Sequence, residues 1–290
     1  MREVVVLSGK GGTGKTSIVG AFASLAKDKI LSDCDVDAAD LHLLLDPTPV
    51  EEREFWSGQV AVIDGSKCTE CGECVNVCRF DAISDYVVDP IACEGCGFCS
   101  RVCPAGAISM QENMAGHWYV SETRFGPLVH AKLGIAQENS GKLVHLVRKK
   151  AREMAEKARV TLTINDGPPG IGCAVISALS GANLACIVTE PSVSGIHDME
   201  RVLSVCRHFS IQALVCVNKY DVNEEGTIQI EQYCKEQDIP VVARIPFDTR
   251  VTEAQVQGVP IVEYTDDEQL VGPIKEAWRR IVERFDAMSA

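Results

Sequence analysis

Val4-Val5-Val6-Leu7-Ser8-Gly9-Lys10-Gly11-Gly12-Thr13-Gly14-Lys15-Thr16-Ser17 joins an apolar run to a glycine-rich turn, and helical spacing follows over residues 18–27. Gly9 to Thr16 fits GxxxxGK[ST] in the strand–loop–helix setting that this pattern requires. Glycines let successive backbone N–H groups turn inward around a phosphate, and the helix start adds favourable partial charge. Lys15 is placed to neutralise β- and γ-phosphates, and the Thr16 hydroxyl to bind Mg2+. The plainer alternative is a flexible glycine turn, against which context and spacing both argue.

Working outward, strand-like apolar runs recur at residues 160–164, 184–189, 213–217 and 241–245, with helical stretches at 143–158 and 194–208. Such alternation predicts an α/β fold, a P-loop NTPase parallel sheet with helices on both faces. Between about Gln59 and Met110 the rhythm stops, replaced by two Cys/Gly-rich half-repeats that each end in an Ala-Ile pair, Ala82-Ile83 and Ala107-Ile108. The expected organisation is a P-loop α/β domain in two parts, 1–58 and 111–290, interrupted by a small α+β insert at 59–110. Asp46 to Arg53, Pro-containing and polar, reads as the linker before the insert.

The chain has fourteen cysteines among 290 residues. Cys68, Cys71, Cys74 and Cys78 form one CxxCxxCxxxC run, and Cys93, Cys96, Cys99 and Cys103 with Pro104 form another. Both are bacterial-ferredoxin runs, in which the fourth cysteine ligates the other cluster. Cys68, Cys71, Cys74 and Cys103 are therefore expected to hold one [4Fe–4S] cluster, and Cys93, Cys96, Cys99 and Cys78 the second. A pair of Zn(Cys)4 sites is the alternative. Arg79-Phe80 stands where proline is usual after Cys78. So few apolar residues predict that the clusters supply much of the insert's folding energy.

With Lys10 inside it, the turn resembles the deviant Walker A family, KGGxGK[TS], of MinD and ParA ATPases and the nitrogenase iron protein. The whole resembles MinD-superfamily ATPases with an inserted 2[4Fe–4S] ferredoxin domain. That resemblance implies ATP rather than GTP, and an ATP-dependent homodimer, or heterodimer with a paralogue, in which Lys10 reaches the partner's nucleotide; otherwise Lys10 is one more local phosphate contact. It implies that Asp35, after Asp33-Cys34, orients the attacking water near Mg2+, and that Asp166 is the Walker B-like carboxylate, with Gly167-Pro168-Pro169-Gly170 as switch II. For either aspartate the plainer reading is a cap or turn former. Asn218 in Val217-Asn218-Lys219-Tyr220-Asp221 matches the adenine side, as does the Pro246-Phe247-Asp248 loop, although NKxD is also the guanine signature of GTPases. The catalytic candidates are thus Lys10, Lys15, Asp35 and Asp166. The nucleotide-binding ones are Gly9, Lys10, Gly11, Gly12, Thr13, Gly14, Lys15, Thr16, Ser17, Asn218, Pro246 and Asp248; Thr16, Asp35 and Asp166 are the Mg2+ ligands. The expected cofactors are ATP, Mg2+ and two [4Fe–4S] clusters. The expected activity is slow, partner-stimulated ATP hydrolysis coupled to gated electron transfer or metal-cofactor assembly with a redox or assembly partner. The alternatives are an Fe–S scaffold or carrier and a MinD-like positioning ATPase.

A formal charge of −13 argues against a nucleic-acid surface, and no apolar run approaches the roughly 20 residues of a membrane span. The run from Met1 straight into the glycine turn leaves no room for a secretory leader and predicts a cytoplasmic location. There, closely spaced cysteines read as metal ligands, not disulfides. Cys173, seven residues after Asp166, matches a cysteine that bridges a subunit-interface cluster in the nitrogenase iron protein; a buried small cysteine is the plainer reading. No second cysteine stands in the Ala136-Gln137-Glu138-Asn139-Ser140 segment. The basic residues Lys142, Arg148, Lys149, Lys150, Arg152, Lys157 and Arg159 read as a solvated helix face or an acidic partner's docking surface. Ile274, Ala277, Trp278, Ile281, Val282 and Phe285 read as a stripe packed on its own domain.

Overall fold

The computed structural model describes residues 1–134 and 140–289, so positions 136–139 lie outside the described residues. The chain forms two compact units, one of Met1–Glu52, Tyr119–Lys132 and Ser140–Ala290, the other of Arg53–Trp118 and Leu133–Asn139. The first opens with β1 (Arg2–Ser8), α1 (Lys15–Leu25), β2 (Lys29–Asp33), α2 (Leu41–Leu45) and β3 (Thr48–Ile63), which continues into the second. The second holds α3 (Glu73–Val77), the β4 (Ile83–Ser84) and β5 (Val87–Val88) hairpin, α4 (Phe98–Val102) and the start of β6 (Ile108–Thr123). Back in the first come β7 (Gly126–Leu133), α5 (Ser140–Ala158), β8 (Leu162–Pro169), α6 (Cys173–Leu179), β9 (Leu184–Thr189) and α7 (Val193–His208). The chain ends with β10 (Gln212–Asn218), α8 (Glu224–Glu236), β11 (Val241–Ile245), α9 (Arg250–Val256), α10 (Ile261–Tyr264) and α11 (Glu268–Ser289).

The sheet order is β11-β10-β9-β1-β8-β2-β7-β6-β3, and every neighbouring pair from β11 to β7 is parallel. β1 and β9 are near-continuous buried apolar runs because helices cover both sides of a parallel sheet. On one side α1 and α11 meet through Phe22 and Trp278, whose rings lie 5.2 Å apart. Ile274, Ala277, Ile281 and Phe285 are buried in that core, so the C-terminal stripe packs on its own unit.

Three sequence expectations change. Asp46 to Arg53 is no linker, because from Thr48 onward it is β3, the last strand of the sheet order. Edge strands tolerate Pro49 and the charges of Glu51, Glu52 and Arg53, which look linker-like in isolation. The strand expected over 160–164 starts at Leu162 and stays extended to Pro169, pairing with Ser8 of β1. A Cβ on Gly167 would press on Leu7 and the Val6 carbonyl, so a close approach explains this glycine. The basic helix α5 is not uniformly solvated: Arg148 is 3% exposed. Its guanidinium donates to Glu3 Oε1 at 2.6 and 2.9 Å and to the carbonyls of Ser177 and Ser180. Arg152 donates to Glu3 Oε2 at 2.8 Å, and Asn165 Nδ2 to Glu3 Oε1 at 2.8 Å.

Candidate functional site

The chain leaves β1 toward β2 on one side, while β9, β10 and β11 extend the sheet on the other. At such a switch point the carboxyl ends of the strands frame a crevice. A cleft of about 730 Å³ opens there, lined by Gly11 to Ser17, Asp35, Asn218, Pro246, Phe247 and Asp248 among others. Gly14 caps α1 at φ 88 and Gly12 has φ 79, left-handed values that favour glycine. A Cβ on Gly14 would also strike Asn218 Nδ2.

Lys15 Nζ bonds Asp166 Oδ1 at 2.6 Å and lies 3.5 Å from Asp35 Oδ2. Burial alone would lower the Lys15 pKa, but the charges of Asp166, Asp35 and Asp33 outweigh it and raise it. Asp33 and Asp166 sit side by side in the β2–β8 register. Burial first, and then the Asp166 charge, push the Asp33 carboxyl well above the usual range. Asp33 accepts the amides of Asp35 at 3.0 Å and Leu41 at 3.2 Å, fixing both ends of the segment that carries Asp35. Asp166 Oδ2 and Thr13 Oγ1 are buried with no hydrogen-bond partner. That orphaned carboxylate oxygen, the Asp35 carboxylate and the Thr16 hydroxyl are hard oxygen donors of the kind that suit Mg2+.

Gly9 and Lys10 turn away from this cluster. A Cβ on Gly9 would collide with Asp198 in α7, and Lys10 Nζ bonds Glu190 Oε1 at 2.7 Å, Ser194 Oγ at 3.0 Å and Ser192 Oγ at 3.1 Å. Glu190 Oε2 takes Lys219 Nζ at 3.0 Å, and the same ammonium donates to the Gly12 carbonyl at 3.0 Å. Burial opposes ionisation of Glu190, yet the two lysines hold its pKa below the usual range. Sequence reasoning misses Glu190 and gives Asp33, in the segment leading to Asp35, no role of its own. Glu190 directly follows β9, so the rule that nominates Asp166, an acid at a strand's carboxyl end, would have found it. On the far wall Asn218 Nδ2 donates to the Thr13 carbonyl at 2.7 Å. Ser17 accepts from Gln255 Nε2 at 2.7 Å.

The second unit contains two further cavities. One is lined by Cys68, Cys71, Cys74 and Cys103, the other by Cys78, Cys93, Cys96 and Cys99. The half-repeats fold alike: Glu70 and Gly95, Gly72 and Gly97, and Asp81 and Gly106 all have positive φ, and Gly72 and Gly97 each cap a five-residue helix. Backbone amides of Glu70, Ala82 and Ala107 point at the sulfurs of Cys68, Cys78 and Cys103, at 3.3 to 3.4 Å. Among the described residues no group of three or more His, Cys, Asp or Glu side chains closes around a single metal ion. Cys173 is exposed, whereas Cys34 is wholly buried, its thiol pushed up to about 12 by burial. No described helix is long and apolar enough to cross a membrane.

An uncharacterized protein of Methanocaldococcus jannaschii is 34% identical over 224 residues, 76% of this chain and 79% of that one. The septum site-determining protein MinD of Synechocystis is 24% identical over 272 residues, 90% and 82% of the two chains. The septum site-determining protein MinD from Pyrococcus horikoshii, solved with Mg-ADP, superposes with a TM-score of 0.62 at 20% identity over 100% of this chain and 98% of that one. The CobQ/CobB/MinD/ParA nucleotide binding domain matches residues 4–261, and the chain belongs to that family.

Proposed function

We propose that this protein is a Mg2+-dependent ATPase whose nucleotide-dependent dimer switch is coupled to two [4Fe–4S] clusters held by residues 59–110, serving gated electron transfer or assembly of a metal cofactor. The observation that carries the cluster half of this reading is the grouping of thiols: each cavity takes three cysteines from one half-repeat and the fourth from the other. Four thiols spread around a cavity suit a polynuclear cluster better than a zinc ion, which draws its ligands to about 2.3 Å from one point. When bound, each cluster supplies one-electron chemistry.

On the ATPase side, Lys15 exchanges Asp166 for the β- and γ-phosphates. Asp166 and Asp35, with Thr16, are then free to hold Mg2+, and Asp35 orients the attacking water. Lys10 leaves Glu190 to meet a partner's nucleotide. Hydrolysis is slow and is stimulated by a partner. Coupling follows the backbone, since Asp33 anchors the Asp35 segment and α2, and β3 then leads directly into the cysteine-bearing unit.

Anaerobically purified protein should carry about eight irons per chain, whereas about ten would add an interface cluster at Cys173. Lys15→Ala should abolish ATP binding and leave the iron content intact. If cluster potential, oligomeric state and partner capture are all the same with ADP and with a non-hydrolysable ATP analogue, coupling is excluded. The second reading, a MinD-like positioning ATPase, draws on the septum-site relatives. ATP-dependent sedimentation with lipid vesicles, independent of iron, would favour it.

A further inference from the structure

Strand β1 carries a charge that the nucleotide site does not use. Its residues Val4 to Leu7 are apolar and wholly buried, and Glu3 before them is buried as well. Glu3 Oε1 accepts Arg148 of α5 at 2.6 and 2.9 Å and Asn165 Nδ2 of β8 at 2.8 Å, while Oε2 accepts Arg152 of α5 at 2.8 Å. The same two arginines reach the far end of α6, Arg148 at the carbonyls of Ser177 and Ser180 and Arg152 at that of Gly181, 3.1 Å away. On its other side Asn165 Oδ1 accepts the Ser32 hydroxyl of β2. Well-packed apolar side chains would stabilise this region as well as a buried ion pair does, so stability alone does not account for the network. What the network joins is specific. Asn165 directly precedes Asp166, and alternation along β8 turns Asn165 toward α5 while Asp166 meets Lys15. The stretch that begins with Asp166 runs through the Gly167-Pro168-Pro169-Gly170 turn into α6 and ends at the carbonyls the arginines hold. Helix α5 thus grips both ends of that stretch, and it begins at Ser140, where the chain re-enters the first unit from Leu133–Asn139 of the second.

We infer that Asn165, Glu3 and Arg148 are positioning residues that form a clamp, through which the nucleotide state at Asp166 is transmitted to α5 and so to the point where the chain returns from the cysteine-bearing unit. This deepens the proposed coupling and rests on it, adding a route through β8 and α5 to the one through β3. Lys15 is the one side-chain partner of Asp166 among the described residues, since Asp166 Oδ2 has none. When Lys15 turns to the phosphates, Asp166 is drawn toward the cleft, and the adjacent Asn165 carries that movement to Glu3. A fully satisfied buried network responds as a unit, and the planar guanidinium of Arg148 holds Glu3 and the end of α6 in one fixed geometry.

The test is hydrogen exchange of α5 in the iron-loaded protein, with cluster potentials measured alongside, at saturating ADP and at saturating Mg2+ with a non-hydrolysable ATP analogue. In the wild type, exchange of the amides from Val144 to Arg152 should differ between the two nucleotides by about fivefold or more. Asn165→Leu keeps the branched shape, removes both polar ends and leaves Glu3 held by two arginines; it should lose the α5 response while β1 and β9 stay protected. Ser32→Ala breaks a bond of the same network that does not lead to α5, and should keep the response. Should Asn165→Leu not fold, Arg148→Lys takes its place: the ammonium retains the charge beside Glu3 without the fork, and the response should be lost. A response that survives in Asn165→Leu or Arg148→Lys would overturn the clamp. So would its loss in Ser32→Ala, which would mark a general loosening of the core. Wild-type α5 exchange that ignores the nucleotide would overturn it too, and a cluster potential that still differs would leave the coupling reading standing on the β3 route. If exchange, cluster potential and oligomeric state all ignore the nucleotide, both fall.

Discussion

Glu190 shows how one side chain can set the resting state of a site. Its two oxygens hold Lys10 and Lys219 at 2.7 and 3.0 Å, so the lysine expected to reach a partner's nucleotide is satisfied within its own chain. Both lysines are about a third exposed, and a pair in that setting is worth about 1 kcal/mol. Glu190→Gln keeps the shape and removes the charge. The dimer formed with a non-hydrolysable ATP analogue should therefore tighten about fivefold in analytical ultracentrifugation. A weaker dimer would mean that Glu190 belongs to the dimer contact and does not restrain Lys10. Residues of this kind are hard to read from sequence. Lys15, Asp35 and Asp166 are legible because loop, spacing and order constrain one another. Glu190 follows a strand but lies in no motif, and the role of Asp33 shows only when the parallel register sets it beside Asp166.

At the scale of elements the same physics decides what the sequence reveals. A central strand such as β9 stands out because burial on both faces demands a continuous apolar run, and it matches the expected span. β3 is hidden for the opposite reason, since an edge strand carries the prolines and charges that also mark linkers. Helix α5 misleads by composition. Counting its basic residues suggests a wet face, yet Arg148 follows Val144 by one helical turn, on the stripe that also carries Val147, Ala151 and Ala155. That placement puts a charge in the core, where Glu3 and two carbonyls at the end of α6 receive it. Arg148→Met should cost about 3 kcal/mol or more in urea unfolding of the nucleotide-free protein, because the buried Glu3 carboxylate loses its most buried counter-charge and the Ser177 carbonyl its guanidinium donor. Arg148→Lys should recover only part of this loss, as an ammonium cannot match the planar fork. A loss below about 1 kcal/mol would show that Arg152 and Asn165 together satisfy Glu3.

At the scale of the whole molecule the two units differ in what holds them together. The first has a continuous core running from Val4 and Phe22 through the sheet to Trp278 and Phe285. The second has Ala61, Cys74, Ile83, Cys99 and Ile108, with Cys78, Cys93 and Cys103 packed around them. Thiols thus occupy positions that aliphatic side chains would fill in an ordinary core, and a core this small rarely stabilises a unit below about 70–80 residues without a staple. Metal binding is folding free energy in such cases. If the proposed clusters are bound, stripping iron under anaerobic conditions should deprotect backbone amides across residues 64–108 in hydrogen exchange, while β1, β8 and β9 keep their protection and ATP still binds. The asymmetry follows from the cores, because Lys15 and Asp166 are positioned by strands whose packing involves no cysteine of the two runs. Equal protection with and without iron would show that the small core suffices alone, and would remove the energetic reason for placing two clusters there. Loss of ATP binding on iron removal would instead show that the phosphate loop depends on the cysteine unit for its fold, contrary to the separate cores.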